Sequence, residues 1–215
     1  MATINDPLLN GMRGRVGKYV FTQLYGKTIV RSLPFSVKNP KTPAQTSQRT
    51  KFGTTVDYLR QLKYLLHISW QNTSGKCSQF NEAMSYNSKN ALIQTNGEWQ
   101  LNPPALKHAN GSLQNAYDYT ITNPDSLKIL ISWRDNSGIS NALPTDTFCY
   151  LAYNITQNTV IYDLTNIKRS DQSHSFNLPD DWSGCDVAFY VFFKGQDKYS
   201  VSNDSYLGTI NLPSV

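Results

Sequence analysis

Val187-Ala188-Phe189-Tyr190-Val191-Phe192-Phe193 is an unbroken apolar run, and Leu127-Lys128-Ile129-Leu130-Ile131-Ser132-Trp133 is an alternating one that ends in tryptophan. Alternation marks a strand with one wet face, whereas a short continuous run bounded by turn residues marks a central strand with both faces covered. Similar β-rich runs, separated by Asn, Asp, Gly and Pro, continue on both sides. The full set is 113–121, 127–133, 147–154, 159–163, 173–178, 185–193 and 205–212. Seven strands in about 110 residues is the count and size of an immunoglobulin- or fibronectin-III-like β-sandwich. Trp133, Phe189, Val191 and Phe193 are its expected core. With its own strand set and core, the segment 104–215 is expected to fold alone.

Upstream the texture differs. Tyr19–Leu24 and 28–33 are β-rich runs around Tyr25-Gly26-Lys27, which predicts a β-hairpin whose apolar residues are Tyr19, Val20, Phe21, Leu24, Ile29 and Val30. Gly11, Gly14 and Gly17 alternate with Arg13, Arg15 and Lys18, which reads as a flexible basic arm. A proline-punctuated link follows. Thr42-Pro43-Ala44-Gln45 is then a helix start with a cap, an N1 proline and a capping-box glutamine. Phe52, Val56, Leu59, Leu62, Leu65 and Leu66 give one apolar stripe, which predicts a helix to about His67 or Trp70. A shorter helix over 77–92 completes a helical hairpin. The fold class is α+β: a β-hairpin arm and helical hairpin followed by a mainly antiparallel sandwich, divided as 1–41, 42–96 and 97–215.

Charge is distributed as unevenly as the pattern. Residues 1–70 carry eleven Lys or Arg against two Asp, a net of +9, and the remaining 145 carry nine against thirteen acids, a net of −4. The basic set Arg13, Arg15, Lys18, Lys27, Arg31, Lys38, Lys41, Arg49 and Lys51 is a candidate surface for a polyanion or for the acidic part of another copy.

The N-terminal pattern Gly14-Arg15-Val16-Gly17, Tyr25-Gly26-Lys27, Val30-Arg31-Ser32-Leu33-Pro34 and Thr42-Pro43-Ala44-Gln45, with Gln48-Arg49 and Phe52, resembles a bacterial family of about this length that has no described activity. Ile131-Ser132-Trp133, Trp182-Ser183-Gly184, Phe192-Phe193 and Val201–Gly208 fit the same family. The resemblance implies that arm, hairpin, helices and sandwich are one unit, and it transfers no catalytic residues.

Chemistry is sparsely represented. His67, His108 and His174 show no metal-ligand spacing and read as surface or helix-end residues, and Cys77, Cys149 and Cys185 read as reduced thiols. No Gly-x-Ser-x-Gly elbow occurs, and the glycines at 11–17 precede a strand rather than a helix, unlike a phosphate loop. Asp135-Asn136-Ser137-Gly138 and Asp180-Asp181 read as turn chemistry. The chain is therefore expected to be non-enzymatic, without cofactor or metal, and to be cytoplasmic at synthesis, because no apolar run reaches the roughly 18 residues of a membrane span and no secretory signal is visible. The leading expectation is a structural protein that binds copies of itself, as a component of a phage-like virion or a bacterial or extracellular filament, with another particle protein as a further partner. Sequence-independent nucleic-acid binding through the basic third, and carbohydrate binding by the sandwich, are the alternatives.

Overall fold

The computed structural model describes residues 2–36, 39–75, 77–197 and 199–214. Two compact units divide the chain, Met1–Thr46 and Ser47–Val215.

In the first unit, strands β1 (Ala2–Ile4), β2 (Gly14–Val16), β3 (Tyr19–Leu24) and β4 (Lys27–Ser32) form one antiparallel sheet in the order β1-β4-β3-β2. The expected hairpin is β3-β4. Its two-residue turn, Tyr25-Gly26, has φ of 48° and 75°, the doubly left-handed geometry that matches strand twist. The segment expected to be a flexible arm is instead paired: Gly17 turns at φ 56° and returns Gly14–Val16 onto β3.

The second unit holds most of α1 (Pro43–Gln61), then α2 (Lys63–Ser69), α3 (Gln79–Asn90), a short hairpin of β5 (Leu92–Thr95) and β6 (Glu98–Leu101), and seven further strands. These are β7 (Tyr117–Asp125), β8 (Lys128–Arg134), β9 (Thr147–Asn154), β10 (Thr159–Lys168), β11 (Ser173–Asn177), β12 (Asp186–Lys194) and β13 (Ser205–Asn211). They form two antiparallel sheets, β11-β8-β7 and β10-β9-β12-β13. The first, second and fifth strands thus face the third, fourth, sixth and seventh, which is a fibronectin-III-like sandwich.

The unbroken apolar run has a direct explanation. Val187, Phe189, Val191 and Phe193 of β12 pack between the sheets with Ile129, Ile131 and Trp133 of β8. Ala188, Tyr190 and Phe192 point the other way, into a second core shared with Leu151 and Tyr153 of β9 and with Tyr58, Leu59, Leu62, Leu65 and Leu66. The helices therefore form a third layer over the sheet rather than a hairpin apart, and the structure has no division at residue 97. Trp133 stacks on Phe148 at 4.3 Å between centroids and donates its indole N–H to the Arg169 carbonyl at 2.8 Å.

The helical layer departs from the single expected helix. Thr42 Oγ1 accepts from the Gln45 amide at 3.3 Å, as its cap requires, but the helix breaks at Leu62 (φ −101°, ψ 10°) and resumes as α2. The break lets Leu59, Leu62, Leu65 and Leu66 all reach one sheet. Phe52 is in phase with this stripe yet 61% exposed, because burial begins a turn later, at Thr55. Periodicity marks a stripe without marking where its cover starts.

Two buried polar clusters join distant parts of the chain. His108, fully buried rather than at the surface, donates from Nδ1 to Asp204 Oδ2 at 2.9 Å and is hydrogen-bonded through Nε2 to Tyr58 Oη at 2.7 Å. Asp204 also accepts from the His108 and Ala109 amides. Arg169, equally buried, donates to Asp146 Oδ2 at 3.0 Å, to Asn136 and to the Gln114 carbonyl, with its guanidinium 4.1 Å from the Phe193 ring. Nearby, Gly111 passes so close to Val201 that a Cβ would lie 1.9 Å from its carbonyl oxygen.

Trp133→Ala is expected to destabilise the protein by about 3–5 kcal/mol in urea unfolding, since a stacked, hydrogen-bonded core ring is lost. The expectation that residues 104–215 fold alone changes with the third layer. Cutting there bares Leu151, Tyr153, Ala188, Tyr190 and Phe192. At roughly 1.5–3 kcal/mol for each large side chain, that loss rivals a domain's whole stability of about 5–15 kcal/mol. Circular dichroism and dye binding should show residues 42–215 folded and residues 104–215 aggregated or molten; a cooperative, dye-silent 104–215 fragment would refute the shared core.

Candidate functional site

Register assigns the N-terminal sheet's side chains to two faces, because residues paired across strands project to the same side. One face carries Arg15, Val20 and Arg31 in a row, then Thr22, Ile29 and Thr3, then Leu24 and Lys27. The other carries Val16, Tyr19 and Ser32, then Phe21, Val30 and Ala2, then Gln23, Thr28 and Ile4. The loop before β2 is tied to this second face. Gly11 N and Gln23 Nε2 donate to Thr28 Oγ1, which donates to Asn10 Oδ1 at 3.2 Å.

Among the described residues of this unit no apolar side chain is buried. Val20, Phe21, Ile29 and Val30 are half-buried, Tyr19 and Leu24 are 58% and 52% exposed, and Thr28 is the sole fully buried side chain among the described residues before Thr55. Backbone ordering costs about 1–2 kcal/mol per residue, and a hydrogen bond returns a net of only about 0.5–1.5. Apolar burial among the described residues of this sheet therefore offsets little of that cost.

The cations frame this face. Arg15 and Arg31 flank Val20, and Lys27 lies beside Leu24. Arg13 precedes β2, Lys18 sits in the β2-β3 turn, and Lys41 precedes α1 at φ 50°. None of Arg13, Arg15, Lys18, Lys27 and Arg31 forms an ion pair among the described residues. Arg49 and Lys51 belong to the second unit, where the Lys51 ammonium lies 4.8 Å from the centre of the Trp99 ring, and Lys38 lies outside the described residues. Arg15, Arg31 and Lys27 thus share a face of the first unit, and Arg49 and Lys51 belong to the second.

The acids of the sandwich are also arranged. Asp125 ends β7, Asp180 and Asp181 follow β11, and Asp186 opens β12, all at the sandwich end where Lys128 pairs with Asp125 and Asn177. Asp180, Asp181 and Asp186 are exposed and in no ion pair among the described residues.

The hydrogen-bonded row Tyr58–His108–Asp204 has the residue types of a proton relay, but it lies under the helices. Burial, more than the neighbouring phenols and Asp204, pushes the Tyr58 phenol well up, so it stays neutral. Asp204 is already committed to two backbone amides. This row holds α1 to the sandwich. Its contacts span 50 and 96 residues, and no local signal in the sequence announces them. Burial likewise raises the Cys149 thiol to about 12, which leaves it inert. Among the described residues, no cluster of three His, Cys, Asp or Glu could hold a metal ion, and no helix is long and apolar enough to cross a membrane.

Strand order defines a fibronectin-III-like sandwich with a helical cover, preceded along the chain by a separate basic sheet. The chain belongs to DUF6266, a family of unknown function, which it matches over residues 11–208. No curated protein matches the sequence. Among solved structures, a computationally redesigned β-sandwich protein is similar over 48% of this chain and 94% of its own, at 13% identity and a TM-score of 0.32. The fn3 domain of human contactin 1 is similar over 49% and 82%, at 7% identity and a TM-score of 0.35.

Proposed function

We propose that this is a non-enzymatic structural protein that self-associates, its N-terminal sheet docking on a neighbouring copy. The observation that carries the reading is a sheet in which no apolar side chain is buried among the described residues. A unit this small needs a staple, a metal or a partner to offset its ordering cost, and a second subunit supplies apolar cover directly. Charge favours a copy of the same chain. Unpaired cations surround the Val20–Ile29 face, and the opposite sign gathers at one end of the sandwich, so a head-to-tail contact is electrostatically complementary. Such a contact is heterologous, and it closes as a ring or continues as a filament. A phage-like particle or a bacterial filament is the setting that such geometry suits.

Nucleic-acid binding is the weaker reading. Tyr19 and Phe21 lie on the face opposite Arg15 and Arg31, so stacking rings and phosphate-binding cations do not converge as a single-strand groove requires.

Light scattering and negative-stain microscopy test the proposal. The full chain should form regular assemblies at low salt, residues 42–215 should remain folded and monomeric, and Arg13→Glu with Arg15→Glu and Lys18→Glu should weaken assembly most at low ionic strength, where screening is least. A full chain that stays monomeric at every concentration and salt would contradict it. Salt-sensitive binding to unrelated DNA would favour the alternative.

A further inference from the structure

A separate groove runs beside α3, and its chemistry differs from that of the basic sheet. A cavity of about 510 Å³ lies against α3, lined by Trp70, Asn81, Glu82, Tyr86, Asn90 and Asn110 among others. A second cavity of about 320 Å³ shares Tyr86 and Asn90 with it and adds Lys107 and Tyr206. Tyr86 therefore stands between two hollows, with its side chain 39% exposed.

Three observations at this place point to a ligand. Trp70 is 2% exposed, yet its indole N–H is buried with no hydrogen-bond partner, an arrangement that costs free energy in the unliganded protein. The Trp70 and Tyr86 rings meet edge to face at 6.1 Å. The Lys107 ammonium lies 5.8 Å from the centre of the first ring and 5.4 Å from that of the second; its hydrogen bond goes to the neutral Asn110 side chain, and it forms no ion pair among the described residues.

The carboxylates here are already engaged. Glu82 accepts from the Ser74 amide and hydroxyl, and Asp204 accepts from His108. What the groove still offers is a ring face, an ammonium and the Asn81 amide, with the unpartnered indole N–H buried behind them. A matching ligand presents a flat C–H face to an aromatic ring and several oxygen acceptors around its rim. We infer that this groove binds an oligosaccharide, with one pyranose ring against Tyr86 and its neighbours extending into both cavities. A peptide fits less well, because the first cavity is lined by α3 and by Trp70, Ser74, Cys77 and Asn110, and none of the named strands lies along it among the described residues.

The test is calorimetry and saturation-transfer NMR on the full chain with a panel of hexasaccharides: cello-, chito-, manno- and galacto-oligosaccharides for the neutral class, and oligogalacturonate for the acidic one. At least one should bind in the millimolar range or tighter, with Tyr86→Ala weakening it roughly tenfold or more, and Asn81→Ala weakening it by a smaller factor, as loss of one hydrogen bond does. Binding of oligogalacturonate alone, abolished by Lys107→Met, would assign the ammonium to a sugar carboxylate and support the inference. Silence across the panel, binding unaffected by Tyr86→Ala and Asn81→Ala, or tight binding of a peptide library in place of sugars would overturn it.

Discussion

The sheet β10-β9-β12-β13 is apolar on both faces, and the rest of the second unit is arranged to cover them. Phe189 and Phe193 look into the sandwich while Tyr190 and Phe192 look out of it. The three-stranded sheet covers one side. Without the helices, the other side would leave a broad apolar surface in water, which a monomeric protein does not sustain. The broken α1–α2 helix, the buried His108 and the close approach of Gly111 to Val201 follow from this need, since each seats or fastens the cover.

The first unit presents the converse problem. Its sheet has strand pairing, well-formed turns and alternation, but the described residues give it no apolar interior. Natural sequences are consistent across levels, and a local violation of that consistency marks a place where function is held. Here the described residues leave the sheet without a buried apolar side chain, while Arg15, Arg31 and Lys27 share one of its faces.

Much of this was legible in the sequence, for identifiable reasons. Alternation at 127–133 and the continuous run at 187–193 located two sandwich strands, because each pattern reports directly on how many faces are covered. The Thr42-Pro43 start was legible because capping is local. The pairing of Ala2–Ile4 and Gly14–Val16 was not, since strands of three residues carry too little pattern. Nor were Arg169–Asp146 or His108–Asp204, whose partners lie 23 and 96 residues apart. Among the candidate site residues, charge alone did not show that Arg49 and Lys51 belong to a different unit from Arg15 and Arg31. The groove at Tyr86 was likewise invisible, because its walls come from three separated segments.

Whether another copy completes the N-terminal sheet is measured directly by amide hydrogen exchange of the intact chain at low and high protein concentration. Amides of β3 and β4 should exchange rapidly in dilute solution and gain protection as concentration rises, while those of β9 and β12 stay protected throughout. Equal, concentration-independent protection of β3, β4, β9 and β12 in a dilute monomer would contradict the account, because the sheet would then be stable without a partner.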